Sequence, residues 1–356
     1  MTQLYVEVNG HGPDLVLLHG WGLNVRVWDG LVEELRDRFR MIAVDLPGHG
    51  RSPWTPGRNT PAEQAWLLHS TLAPISNRYS LLGWSLGGQI ALDLAAAMPA
   101  RVDKLVLVAT TPRFTAAPDW PYGMKADAIA KMAAQLRENY QQTVRDFLDL
   151  QVRGSLEGAS VIEQLRKALF VHGEAKPEAL EAGLGTLATC DLRPTLPHVR
   201  TPTLVIAGQN DRITAPAASR ALAEALPDAQ YVEMRRAAHT PFLSHRKEFA
   251  AVLERFLLAT AEEHSAMLAG AVPASATRTA AAQVGASHGV ATPTIRSGGD
   301  AGAAGSATTN PVGPVGNPAA GRAAKAAAPS SAPIAGRAKK KRMKARARKK
   351  LQASSR

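Results

Sequence analysis

Apolar positions along the first 260 residues fall into two alternating patterns. Short, nearly continuous apolar runs ("LYVEV", "DLVLLHG", "RMIAVDL", "SLLGW", "KLVLVAT", "TPTLVIAG", "AQYVEM") read as strands. Stretches with apolar residues at helical spacing lie between them, at about 62–70, 89–98 and 215–226, and one more runs from about 241 to 259. Runs of this kind, apolar on both faces, predict a mostly parallel sheet covered by helices on each side. The first two runs are joined by the turn-rich "NGHGP", which predicts a β-hairpin.

Between residues 112 and 190 the rhythm breaks. Helical patterns recur at about 127–139, 141–152, 161–171 and 178–187, with no strand among them. The expected architecture is therefore an α/β, doubly wound sheet core in two parts, 1–111 and 191–260, with a helical lid (112–190) inserted between them. In open α/β sheets ligands bind beyond the carboxyl ends of the strands, so the lid would cover that site.

From residue 261 both patterns stop. The remainder is rich in Ala, Gly, Pro, Ser and Thr and contains no aromatic residue. Such a segment cannot bury enough apolar surface to offset its ordering entropy, and 261–356 is expected to be disordered. Charge makes the same cut: 15 of the 42 Lys and Arg and 3 of the 30 Asp and Glu lie beyond residue 260, which leaves 27 of each before it. The net charge of +12 thus belongs to the tail, and the body is formally neutral. The run "GRAKKKRMKARARKK" suits an anionic partner, whether nucleic acid, a membrane surface or an acidic protein. A solubilising appendage with no specific partner is equally open.

One cysteine, Cys190, excludes an intramolecular disulfide and fits a reducing compartment. The start "MTQLYVEVNG" lacks the features of a signal peptide, and no stretch is long and apolar enough to span a bilayer. A cytoplasmic monomer is expected. No His/Cys cluster has zinc-ligand spacing.

The chemistry centres on "SLLGWSLGGQIALDL", where Ser85 stands in a Gly-x-Ser-x-Gly motif between a strand and a helix. A side chain at such a bend is exposed, and the first N–H groups of the new helix are free to hold developing negative charge. A serine hydroxyl needs a base. Asp211 in "AGQND" and His239 in "AAHTPF" each follow a predicted strand, in the chain order Ser, Asp, His. His239 would take the serine proton, and Asp211 would fix the imidazole tautomer. The glycine-flanked Trp21 in "LLHGWG" offers a backbone N–H which, with that of Leu86, would make an oxyanion hole. His19 and His49 precede Ser85, in loop settings that suit local hydrogen bonding. Asp45 suits turn capping, and His245 is the alternative base on the last helix.

Together "LLHGWG", "DLPGHGRS", "GWSLGG", "AGQND" and "AAHTPF" resemble the α/β-hydrolase fold. With "FLDLQ", "LATCDLR" and "PFLSH" they resemble, more narrowly, the carboxylesterases of biotin synthesis that cleave pimeloyl-acyl-carrier-protein methyl ester. The resemblance covers about residues 3 to 258. It implies acylation of Ser85, loss of methanol, and release of the acid by water activated by His239, with no metal or organic cofactor needed. It also implies an apolar channel lined by Trp21, Trp84 and Phe147, and an acyl carrier protein docked on basic lid residues. On a helix Arg145 lies about 160° around from Phe147, so Arg145 and Arg153 are the docking candidates. A general short-chain esterase, a C–C bond hydrolase, a perhydrolase and a tail-driven tethering protein remain open.

Overall fold

The computed structural model describes residues 3–268 apart from 58 and 156. Its strands are β1 (Val6–Asn9), β2 (Asp14–Leu18), β3 (Arg40–Val44), β4 (Tyr79–Trp84), β5 (Val102–Val108), β6 (Thr203–Gly208) and β7 (Ala229–Met234). They form one sheet in the order β1-β3-β2-β4-β5-β6-β7, in which only β1 is antiparallel to its neighbour. Nearly every residue of β2, β4, β5 and β6 is buried, as their continuous apolar runs require. The edge strands β1 and β7 are only half buried.

The expected hairpin does not form. β3 lies between β1 and β2, and Val6–Asn9 pairs with Met41–Val44 instead. The reason is burial: "DLVLL" is apolar on both faces and belongs inside the sheet, whereas "VEVN" suits an edge. The link between them crosses the end of α1 (Asp29–Leu35), where the His11 N–H donates to the Arg36 carbonyl (3.1 Å). Gly10, at φ +82°, permits this approach, because a Cβ there would lie 2.3 Å from that same oxygen.

Helices α2 (Pro61–Leu72) and α3 (Leu86–Ala97) follow in the first half of the core. α2 opens with a capping box: Thr60 Oγ1 accepts the Glu63 N–H, and the Glu63 carboxylate accepts that of Thr60. The inserted segment carries α4 (Ala126–Glu138), α5 (Tyr140–Val152), α6 (Gly158–Val171) and α7 (Pro177–Thr189). α8 (Pro216–Ala225) then precedes β7. The single helix expected from 241 to 259 is two, α9 (Pro241–Ser244) and α10 (Arg246–Leu258), broken at His245, whose backbone leaves the helical region (φ −128°, ψ 41°). No helix of the described residues is long and apolar enough to cross a membrane.

The expected cut at residue 260 also needs correction. α11 (Ala261–Leu268) continues the folded region, starting at a Thr260–Glu263 capping pair and burying His264 against the body. Composition alone misses this, because one imidazole with specific partners anchors a helix of only eight residues. The rest of the tail expected to be disordered lies outside the described residues.

Candidate active site

The loops that follow β2, β4, β6 and β7 meet at the carboxyl edge of the sheet, and each delivers one part of the site. Ser85 sits between β4 and α3 at φ 57°, ψ −117°, a conformation that costs roughly 1–3 kcal/mol for a non-glycine residue. Three hydrogen bonds hold it there. The Ser85 N–H donates to Val108 O (2.9 Å), and Ser85 O accepts Thr110 Oγ1–H (2.7 Å) and Gly88 N–H (2.9 Å). The flanking glycines let strand, helix and neighbouring loop close up. A Cβ on Gly83 would lie 2.4 Å from Gly87 O, and one on Gly87 would lie 2.5 Å from His19 O.

Asp211 and His239 are brought together as expected. His239 Nδ1 lies 2.7 Å from Asp211 Oδ2, both side chains being essentially buried. The other carboxylate oxygen, Oδ1, accepts the N–H groups of Ile213 (2.8 Å) and Thr214 (2.9 Å), so the carboxylate cannot swing away from the imidazole. With Nδ1–H donated to Asp211, Nε2 is the basic nitrogen, and it is buried with no hydrogen-bond partner among the described residues. No hydrogen bond joins Ser85 Oγ to it in this conformation. The two loops are nonetheless fastened to one another. The Trp84 indole N–H donates to His239 O (2.9 Å), and the Trp84 ring lies 5.5 Å from the imidazole.

Trp21 follows Gly20, whose Cα is so close to the elbow that a Cβ would lie 3.2 Å from Ser85 Cβ. Among the described residues neither the Trp21 nor the Leu86 N–H has an acceptor. His19 fixes this loop. Its Nε2 accepts the Leu46 N–H (2.9 Å), so its proton is on Nδ1, which donates to Gly20 O (2.8 Å). Burial pushes its pKa down to about 4, and it holds the loop as a neutral ring. Asp45 is a loop-capping residue, accepting the N–H groups of Val25 (2.7 Å) and Arg51 (2.8 Å). His245 is turned elsewhere, paired with Ser244 Oγ (2.8 Å) on a cleft of about 500 Å³ that neither Ser85 nor His239 lines.

The lid lies across these loops and is bonded to them. The Trp21 indole N–H donates to Leu180 O on α7 (2.9 Å), the Lys176 N–H to Gly48 O (2.8 Å), Asn210 Nδ2–H to Gly154 O (2.7 Å) and the His239 N–H to Gln151 O (3.1 Å). Gly183 of α7 packs on Trp21 so tightly that a Cβ would lie 2.7 Å from its Cδ1. The Phe147 ring meets Trp21 edge-on at 4.9 Å. Trp84, by contrast, is enclosed by Trp28 (6.4 Å), Phe242 (5.1 Å) and His239, as a support beneath the imidazole. A slot between α5 and α7, lined by Gly22, Tyr140, Val144 and Leu180 and by the polar Gln141, Arg145 and Glu174, is nearly closed at about 10 Å³, and neither Ser85 nor His239 lines it.

Gln151 is a residue that motif reading passed over. It is 1% exposed, and among the described residues neither atom of its amide has a partner, although its carbonyl holds the His239 N–H. Its only sequence signal was its place at the end of "FLDLQ". Arg145 and Arg153 are exposed, with no carboxylate within 4 Å among the described residues, and Arg145 also borders the slot between α5 and α7. Arg166 and Arg137 are instead paired, with Asp149 (3.2 Å) and Glu181 (2.6 Å).

The family described as alpha/beta hydrolase fold matches residues 13–246. The chain belongs to the α/β-hydrolase family. The hydrolase is 42% identical over 255 residues, 71% of its own length and 99% of the relative's, to the pimeloyl-[acyl-carrier protein] methyl ester esterase of Nitrosomonas europaea. It is 40% identical over 252 residues, 71% of its length and 98% of the relative's, to the protein of the same name from Aeromonas hydrophila subsp. hydrophila. Among solved structures, an esterase from Exiguobacterium antarcticum superposes with a TM-score of 0.67 at 24% identity, covering 72% of this hydrolase and 96% of that esterase. The hydrolase is a carboxylic ester hydrolase.

Proposed function

We propose that this hydrolase cleaves the methyl ester of a pimeloyl chain carried on acyl carrier protein, freeing the terminal carboxylate in biotin synthesis. The observation that carries the mechanism is the 2.7 Å bond between His239 Nδ1 and Asp211, which leaves a basic Nε2 in a buried loop fastened to the Ser85 elbow. In the reaction Ser85 Oγ passes its proton to Nε2 and attacks the ester carbonyl. The Trp21 and Leu86 N–H groups hold the oxyanion, an interaction worth roughly 3–4 kcal/mol per donor. Protonated His239 then gives its proton to the departing methoxide, and methanol leaves. Water, deprotonated by the same Nε2, attacks the acyl-enzyme and releases the free acid, restoring Ser85.

The choice of substrate is supported by the printed names of the relatives, matched over nearly their whole lengths. It is supported too by the apolar Trp21–Phe147 contact beneath the lid. Within this reading Trp21 and Phe147 flank the acyl chain, Trp84 positions His239, and Arg145 and Arg153 face the acidic carrier.

Complementation of a biotin auxotroph that lacks its esterase tests the reading. The wild-type gene restores growth and Ser85→Ala does not. Purified enzyme turns over the carrier-linked methyl ester with a higher kcat/KM than free methyl pimelate or p-nitrophenyl esters. Equal or better turnover of the free esters would leave a general short-chain esterase as the better description.

A further inference from the structure

Ser85 (φ 57°) and Ala109 (φ 46°) both hold a left-handed backbone without being glycine, and they lie side by side. Trp84 and Val108 are paired in register at the ends of β4 and β5, and each of the two residues comes next in its chain. The turn at Ala109 brings Thr110 against the elbow, where its buried hydroxyl donates to Ser85 O (2.7 Å). We propose, on the role given to Leu86 in the function above, that Thr110 is a positioning residue for the oxyanion hole. By holding the Ser85 carbonyl it aims the Leu86 N–H.

The link is a single peptide unit. The Ser85 carbonyl and the Leu86 N–H belong to one planar, trans group, so they point in opposite directions. The ψ angle of Ser85, −117°, turns that plane relative to the nucleophile. Any rotation of the carbonyl therefore swings the N–H through the same angle. At an ordinary helix start the capping carbonyl accepts only the first bond of the helix itself. Here the Gly88 N–H of α3 donates to it (2.9 Å), and the Thr110 hydroxyl adds a second bond from beyond a different strand. Two donors on separate elements fix the plane. The Leu86 N–H on its other side has no acceptor among the described residues.

Thr110 is itself held on several sides. Its carbonyl accepts the Oγ–H of Ser219 on α8 (3.0 Å), and the preceding Ala109 N–H donates to Ile206 O at the end of β6 (2.8 Å). A Cβ on Gly88 would lie 2.7 Å from Thr110 Cβ, Cγ2 and Oγ1, so the side chain rests directly on the backbone of α3. A donor fixed before charge develops needs no reorganisation as the reaction proceeds, and this packing supplies that condition to Leu86.

The test compares Thr110→Ser with Thr110→Ala, which differ by the hydroxyl alone, on a p-nitrophenyl ester that needs no carrier. Circular dichroism and urea midpoints check the fold of each. Thr110→Val, whose methyl cannot approach a carbonyl oxygen to 2.7 Å, makes the same comparison against wild type if Thr110→Ala does not fold. Thr110→Ser is expected to keep kcat within about threefold of wild type. Thr110→Ala should lower it about 10–100-fold, short of the roughly 10²–10³-fold loss of a whole donor, with KM changed less than about twofold. The Ki of phenylboronic acid, whose adduct on Ser85 places an oxygen where the oxyanion would form, should rise as kcat/KM falls. Turnover that survives Ser85→Ala would overturn the mechanism itself. Turnover that requires Ser85 but is equal in Thr110→Ser and Thr110→Ala would overturn this proposal alone. So would a loss expressed in KM, or a fall in kcat with boronate binding unchanged.

Discussion

The sheet core and the lid are held by different physics. In β2, β4, β5 and β6 side chains are sealed on both faces, and the elbow at Ser85 is braced by Val108, Thr110 and Gly88. The lid helices bury one face each and meet the catalytic loops through single hydrogen bonds at Leu180, Lys176, Gly154 and Gln151. The groups to which the proposed function assigns the proton transfer stand on the more tightly braced part. The apolar Trp21–Phe147 contact, which under the proposed function would have to part for an acyl chain, stands on the part that can yield. Substitutions in the two regions should therefore fail in different ways.

The largest effect is expected in the core. His239→Ala should lower kcat by about 10⁴-fold or more, and Asp211→Ala by nearly as much, since triad members act as a unit. Both proteins should keep the wild-type circular dichroism spectrum. Retention of most activity in His239→Ala would bring His245 back as the base. In the lid, Gly183→Ala forces α7 off Trp21, because its Cβ would lie 2.7 Å from the indole. We expect kcat/KM to fall by up to about 10²-fold, the scale of a 1 Å misplacement, with the unfolding midpoint little changed. An equal loss of global stability would mean that lid and core are one cooperative unit.

Acid should act on the core loops. Burial lowers the pKa of His19 to about 4 and that of His49 to about 3, against ordinary values of about 6.5. Both rings are neutral when folded but take protons in the unfolded chain. Their stabilising effect is complete above pH 6.5 and is lost progressively as pH falls towards 4 and 3. His19 alone accounts for on the order of 3 kcal/mol, partly offset by Asp45, whose pKa burial raises. Urea unfolding at pH 7 and pH 4.5 reads the difference, and His19→Gln should flatten it. The smallest effect belongs to the outer face of the lid. Arg145→Glu with Arg153→Glu should lower kcat/KM for a carrier-linked ester about 2–5-fold at low salt and leave p-nitrophenyl ester turnover unchanged.

What could be read from the sequence follows the range of the forces involved. The elbow, the strand-end loops of Asp211 and His239 and the four lid helices rest on local patterns, and local patterns are written in the chain. The hairpin reading failed because β1's partner is set by which strand must be buried on both faces, a choice made between segments as far apart as Val6 and Val44. α1 was missed because it has only seven residues and follows a 3-10 turn. The break at His245 and the docking of His264 depend on side-chain partners far along the chain or out of register with the helix. Gln151 looked like one more polar residue at a helix end. Only its burial, with an amide that has no partner among the described residues and lies beside the His239 loop, sets it apart.

In the proposed reaction Nε2 of His239 activates the hydroxyl of Ser85. Labelling with a fluorophosphonate, followed by intact-mass and peptide analysis, measures this without reference to any ester. One adduct per chain, on Ser85 and forming at least about 10³-fold more slowly in His239→Ala, is the expected result. Labelling at another residue, or at an undiminished rate without the imidazole, would contradict it.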